Sequence, residues 1–451
     1  MRRLGRTKLN IVFIGIVIVG VIFYVERLPS LQSEKHSLYA SGSTKARTWE
    51  NGSSNTAALL RTAKMELKRH HATELREKFF IAFSFGDQLT RATESLLTLA
   101  ALARYGNRSV AVPFVKDSKF FGTKIDQNAG ALSRYFDLNA LNQKLESYGY
   151  GLFKRWSHFH QSCNGGLDVL LNVLTRGGKS NARLSNIQKQ LLNKTGWTPC
   201  ISNLQQTGDR FDGFNINQTI CIDPEILTSV QQLESDVLRG SGCVGFVEWR
   251  GIGIGRCHFA VSSDKVPSPL SVTPEVPFSH KLVQVAQDYA DRQLGNNYIS
   301  VHIRSEWVLR CHKSNITYLL DCFDQLSSRI HSSKQTTGLE KIFLATDFST
   351  FGSKSYSIRP ARDKSEMLHK YLDKLLENPH VFDPGKVELS DRGSIAIVEI
   401  NILSAGKKLF LVGGGNFEEW IRNRFEMVSD HAAEKICYRE RPERTTERGV
   451  C

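Results

Sequence analysis

Residues 298–304 read YISVHIR, and the alternation of their side chains decides the fold class. Ile299, Val301 and Ile303 fall on one face of an extended segment, while Ser300, His302 and Arg304 fall on the other. Branched apolar residues at every second position predict a strand whose polar face is richest where the chain exits. Residues 341–347 (KIFLATD) predict another strand, ending in Thr346 and Asp347. Residues 408–412 (KLFLV) predict a third, running into Gly413, Gly414, Gly415 and Asn416, with a helix before it over 394–404. Phe417, Trp420, Ile421 and Phe425 then form an apolar helical stripe, so the glycines make a strand-to-helix turn with Asn416 as its N-cap.

The earlier part of the chain repeats this style. Residues 78–84 (KFFIAFS) predict a strand, followed by Phe85, Gly86, Asp87 and Gln88. Leu89, Ala92, Leu96, Leu99, Ala100 and Ala103 give the next segment one apolar helical face, and residues 109–114 (SVAVPF) read as a second buried strand. Strand, turn, helix and strand make the βαβ unit of a parallel sheet, whose ligands sit at the carboxyl ends of the strands. The expected architecture is therefore α/β, with two Rossmann-like domains facing each other across a cleft. They span 76–279 and 280–435, joined near the Pro-rich stretch 267–277, with a tail over 436–451.

Arg2, Arg3, Arg6 and Lys8 precede an uncharged run of 17 residues over 9–25. As a helix rising about 1.5 Å per residue it covers roughly 25 Å, enough for a thin secretory-pathway bilayer with snorkelling flanks. The basic residues predict a single-pass signal anchor: 1–8 cytosolic, 9–25 transmembrane, and the rest luminal. A cleaved signal peptide is the alternative, but no small-x-small site follows closely. Residues 26–75, rich in Ser, Thr, Asn, Lys and Glu, read as a stem.

With 41% hydrophobic residues the chain can build a sizeable core. All nine cysteines lie beyond the anchor, where an oxidising compartment favours disulfides. Their pairing is left open by the sequence; the odd count leaves one over, and Cys451 is the candidate. Sequons at Asn51, Asn107, Asn193, Asn217 and Asn315 suit the same compartment. The net charge of +14 is spread through the chain, and the anchor separates the fold from nucleic acid, so no nucleic-acid partner is expected.

Three ordered segments carry a family resemblance. Phe85, Gly86, Asp87 and Gln88, with Asn107, Arg108 and Ser109 running through Pro113, resemble the Phe-Gly-Asn-Gln turn and Asn-Arg-Thr-x-Ala-Val-Pro strand of the GDP-fucose protein O-fucosyltransferases. His302, Arg304, Glu306 and Trp307 resemble that family's His-x-Arg with a downstream acid-Trp pair. Thr346 and Asp347, followed by residues 413–424, resemble its third segment. The likeness runs over residues 78–428. It implies a GT-B fold, GDP-fucose as donor substrate with no cofactor required, and inverting transfer to a Ser/Thr hydroxyl of a secretory-pathway protein in the endoplasmic reticulum or Golgi. It further implies donor contacts from Phe85, Gly86, Gln88, His302, Thr346, Asp347, Gly414, Gly415, Asn416 and Phe417, and assigns the family's essential arginine to Arg304.

The chemistry of these residues agrees with that assignment. Breaking a sugar–diphosphate bond builds negative charge on phosphate, and a guanidinium at a strand end meets such charge bidentately. Amides of the turn at 413–416, at a helix N-terminus, favour an anion. This turn departs from the family's serines, and Glu418 and Glu419 in the first helical turn would repel phosphate. Asp347 suits a guanine edge or an ordinary helix cap, and His302 a donor contact or a structural hydrogen bond. An attacking hydroxyl needs a base, for which Asp87, standing where the family often has Asn, and Glu306 are the candidates.

The chain contains no Asp-x-Asp, and His70-His71, His158 with His160, Cys257-His258 and Cys311-His312 lack paired-ligand spacing, so no metal is expected. Residues 251–255 (GIGIG) lack a following amphipathic helix and read as a loop. Two other readings fit the sequence: a fucosyltransferase acting on a glycan hydroxyl, and a catalytically silent anchored binding protein of the same fold.

Overall fold

The apolar runs become the strands of two mainly parallel sheets. The first has seven strands: β1 (Lys78–Ala82), β2 (Arg108–Ala111), β3 (Phe153–Lys154), β4 (Val169–Val173), β5 (Trp197–Pro199), β6 (Thr219–Ile222) and β7 (Cys243–Phe246). Their order is β5-β6-β4-β7-β1-β2-β3, and every pairing is parallel except β5 with β6. The second sheet, wholly parallel, contains β8 (Tyr298–Ile303), β9 (Lys341–Thr346), β10 (Lys408–Val412) and β11 (Glu434–Ile436) in the order β9-β8-β10-β11. Every residue of β8 is buried, including Ser300 and His302, because a parallel sheet is covered on both faces.

This computed structural model describes residues 77–86, 88–174, 182–202, 210–224, 226–227, 229–249, 269–312, 314–347 and 365–438. The expected cytosolic tail, transmembrane segment and stem, Asp87, and the glycine run at 251–255 lie outside the described residues. Among the described residues, no helix is long and apolar enough to cross a membrane.

Two local expectations are corrected. The strand expected over 109–114 stops at Ala111, and Phe114–Lys116 joins a separate antiparallel sheet with Lys119–Phe121 and Gly130–Ala131. Pro113 has no N–H to give a ladder, so the break falls there. The N-cap of the helix after β10 is Gly415, with Asn416 its first helical residue.

Six helices matter for the site: α1 (Leu89–Tyr105), α2 (His280–Tyr289), α3 (Ser305–Cys311), α4 (Ile316–Thr337), α5 (Arg392–Ala405) and α6 (Asn416–Val428). One core runs from the first sheet through α1 to α5 and α6, taking in Phe80, Leu96, Phe246, Ile397, Trp420 and Phe425. Burial of Trp420, Ile421 and Phe425 stabilises the seating of α6 by about 1.5–3 kcal/mol each. Arg424 adds a polar clamp, donating to the carbonyls of Pro274 (2.9 Å) and Val276 (3.2 Å) with its guanidinium 4.2 Å over the Phe278 ring. Burial pushes that guanidinium down to about 10. The opposite face of the second sheet packs Ile299, Val301 and Ile303 against α4 residues Leu319, Phe323 and Leu326. Disulfides Cys163–Cys243, Cys200–Cys221 and Cys322–Cys437 staple the described residues.

Candidate active site

Three strands deliver their carboxyl ends to helix N-termini: β1 to α1, β8 to α3 and β10 to α6. The turn after β10 is the tightest of these. Gly413, Gly414 and Gly415 have φ of 123°, 153° and 102°, a succession that residues with a Cβ rarely adopt. The glycines also make room for a neighbour. A Cβ on Gly413 would stand 2.8 Å from the Arg304 carbonyl oxygen, and one on Gly415 would stand 2.8 Å from Arg304 Nη1. Arg304 therefore lies along the turn, half-buried, with its amide donating to the Val412 carbonyl (2.9 Å) and its guanidinium carbon 5.9 Å from the centre of the Trp307 ring.

Asp347, at the end of β9, sets where α3 begins. Its carboxylate accepts from the amides of Ser305 (3.0 Å) and Glu306 (2.8 Å) and from the Ser305 hydroxyl. It thus acts as a helix cap, supplying acceptors to orphan N–H groups and fixing the residue after Arg304. Thr346 ends β9 in register with Ile303. The Glu306 carboxylate pairs with Arg310 one turn along α3.

His302 is buried on β8, with its Nδ1 3.2 Å from Glu418 Oε1 and its ring 5.3 Å from that of Phe417. Glu418 is fully buried, which corrects the expectation that it would face a phosphate at the turn. It precedes Ile421 by three residues and Phe425 by seven, so the 3.6-residue period turns it inward with that stripe. Burial pushes its carboxyl up, opposed by His302, Arg304 and the Gly414 amide. Glu419 is half-buried.

The turn before α1 is tied to the same place. Arg91, buried in the first turn of α1, donates to Asn416 Oδ1 at 2.8 Å and pairs with Glu94 at 2.9 Å. Gln88 caps α1 with its backbone, accepting from the Ala92 amide, and the Gly86 amide donates to the Trp249 carbonyl. Phe85 points into the core, edge-on to Phe120 at 6.0 Å. The structure thus gathers His302, Arg304, Gly414, Gly415, Asn416 and Phe417 around one turn, with Thr346 and Asp347 behind α3. Sequence reasoning missed Arg91 and the inward role of Glu418. The helical period carried a signal for Glu418; nothing in the sequence links Arg91 to Asn416.

A half-buried guanidinium, turn amides at a helix N-terminus and a buried imidazole together suit an anionic ligand with two or more phosphate oxygens. Among the described residues, no group of three or more His, Cys, Asp or Glu side chains could hold a metal ion.

No family model matches the chain, and no curated protein matches it. Among solved structures, it is similar to POFUT1 in complex with GDP, at 12% identity over 80% of this chain and 99% of that one, with a TM-score of 0.49. It is also similar to NodZ alpha-1,6-fucosyltransferase co-crystallised with GDP, at 10% identity over 77% and 92%, with a TM-score of 0.38. The fucosyltransferase NodZ from Bradyrhizobium gives 12% identity over 77% and 92%, with a TM-score of 0.36. At this degree of likeness, the functional reading rests on the residues of this chain.

Proposed function

We propose that this chain transfers fucose from GDP-fucose to a Ser/Thr hydroxyl of a secretory-pathway protein, with inversion at the sugar carbon. The observation that carries the reading is the seat of Arg304 along the Gly413–Gly415 turn, at the N-terminus of α6 and beside His302. These residues belong to separate sequence segments, each of which resembles the same family, and the fold brings them together around a site suited to phosphate.

In the reaction, the acceptor oxygen bonds to C1 of fucose as the bond from C1 to the β-phosphate oxygen breaks. The electron pair of that bond leaves with GDP. Arg304 and the turn amides meet the charge as it develops, in a partly water-excluded place where such interactions are strong. The acceptor proton passes to a carboxylate, which we assign to Asp87 by its position before α1, since the Glu306 carboxylate is paired with Arg310. Asp347 acts indirectly on this reading, by fixing the start of α3 behind Arg304.

On the same reading, residues 9–25 anchor the chain in the endoplasmic reticulum or Golgi membrane with the enzyme luminal. The three disulfides support an oxidising compartment. Residues 76–279 would then form the acceptor side and 280–435 the donor side.

The test is GDP release from GDP-fucose by the full chain, offered folded disulfide-rich protein modules and, separately, free glycans. Arg304→Ala, checked for folding by its thermal melt, is expected to lose about 100-fold or more in turnover. Unchanged turnover in that variant refutes the role of Arg304. A wild type that neither turns over GDP-fucose nor gains thermal stability from it refutes the function. Transfer to glycans alone would overturn the protein acceptor.

A further inference from the structure

Among the described residues, Glu418 is the only acidic side chain whose residue is fully buried. Its Oε1 lies 3.2 Å from His302 Nδ1, and its Oε2 has no hydrogen-bond partner among the described residues. His302 is itself only 6% exposed, so solvent does little to screen the pair.

Four proton arrangements fit this contact. An imidazolium beside a carboxylate donates Nδ1–H to Oε1 and carries its second proton on Nε2. A neutral ring beside a neutral carboxyl accepts Oε1–H at Nδ1 and again carries a proton on Nε2. A neutral ring protonated at Nδ1 leaves Nε2 bare, beside either an ionised carboxylate or a carboxyl protonated on Oε2; the second gives the Oε2 proton no acceptor among the described residues, which costs about 1–3 kcal/mol. The ionised form of that state buries a net negative charge, which costs several kcal/mol unless it is paired. Arg304 and the Gly414 amide offset part of that charge, but Arg304 makes no ion pair with Glu418; its guanidinium lies against Gly415 and Trp307. A net-neutral pair whose shared proton lies between Nδ1 and Oε1 is favoured, and in both forms that meet this condition Nε2 is a hydrogen-bond donor.

We propose that Glu418 is a positioning residue for His302, holding the ring by Nδ1 and keeping Nε2 protonated, so that His302 meets the donor's pyrophosphate as a hydrogen-bond donor beside Arg304. This rests on the GDP-fucose reading above. Three successive glycines bring backbone amides to the turn but no side-chain donor, and the buried pair supplies one from the adjoining strand. Glu418 thereby serves an anion site from beneath, where its own charge is matched by the ring.

Nitrogen NMR of the histidine-labelled full chain tests the pair directly, with His302→Gln to assign the signal. A protonated Nε2 at neutral pH is expected, and a bare Nε2 overturns the proposal whether or not any variant folds. GDP binding is then titrated in wild type, Glu418→Met, His302→Gln and the double variant. Glu418→Met is expected to weaken GDP about tenfold when His302 is present, and less than about twofold when position 302 is already Gln. Equal losses in both backgrounds would show that Glu418 does not act through the ring, and would overturn the assignment. Glu418→Gln, which keeps a partner for the ring, is expected to recover part of the affinity. Absence of GDP binding in the wild type would sink the donor reading alone, leaving the NMR signal to decide the protonation of His302.

Discussion

Replacing Gly415 by alanine tests the seat of Arg304 with the smallest possible perturbation. The added Cβ would stand 2.8 Å from Arg304 Nη1, and 3.6 Å from both the guanidinium carbon and Trp307 Cε3. Nη1 ends a flexible side chain, so the guanidinium moves and the backbone stays. The φ of 102° at Gly415 adds strain of about 1–3 kcal/mol for a residue with a Cβ. A displaced guanidinium forfeits a charge-assisted hydrogen bond to phosphate worth about 1.5–3 kcal/mol, or roughly 10–100-fold in affinity. Gly213→Ala is the control: its φ is 86°, and an added Cβ would meet nothing within 4 Å. Thermal melts and calorimetric GDP titrations of both variants separate strain from site. We expect both to lose stability and only Gly415→Ala to lose GDP affinity. If Gly415→Ala melts like the control and still binds GDP as the wild type does, the donor does not sit against Arg304, and the reasoning fails.

Two further perturbations address the scaffold. Burial pushes the Glu399 carboxyl on α5 up to about 7, so the folded state holds a proton there that the unfolded chain releases near its ordinary value of 4.5. Stability from this group is complete below the unfolded value and is lost as pH rises through about 7; Glu399→Gln should therefore melt higher than wild type at pH ~8 and flatten this loss, by about 3 kcal/mol. An unchanged pH profile in Glu399→Gln would refute that origin. The Cys322–Cys437 disulfide closes a span of 115 residues between α4 and the end of β11. Replacing both cysteines by alanine should lower unfolding free energy by about 4 kcal/mol in denaturant titration, and a loss under about 1 kcal/mol would mean that packing alone holds β11 in place.

Local pattern made much of this fold legible. The runs at 298–304, 341–347 and 408–412 alternate or cluster apolar residues so consistently that they predict strands, and β8, β9 and β10 occupy those places to within a residue. The glycine turn and the helix after it are equally plain, since three glycines can take the positive-φ backbone of a tight turn and the apolar stripe beyond them has the helical period. Differences fall where residue type points one way and the helical period or a distant contact points the other. Asn416, a good cap by residue type, is inside the helix with Arg91 against its side chain, and Glu418, polar by type, faces the core because it has His302 to pair with.

The sequence by itself determined the parallel α/β class, the strand that ends at Arg304 and the glycine turn between strand and helix, because these follow from periodicity and backbone sterics within a few neighbouring residues. Only the tertiary structure decided what Arg304 lies against, that Asp347 spends its carboxylate on the start of α3, and that Glu418 backs His302. Those outcomes depend on residues 42 to 325 positions apart in the chain, such as Ser305 with Asp347 and Arg91 with Asn416. Contacts at such separations are selected by the packing of helices and sheets, which buries one partner of each pair and leaves the other to satisfy it.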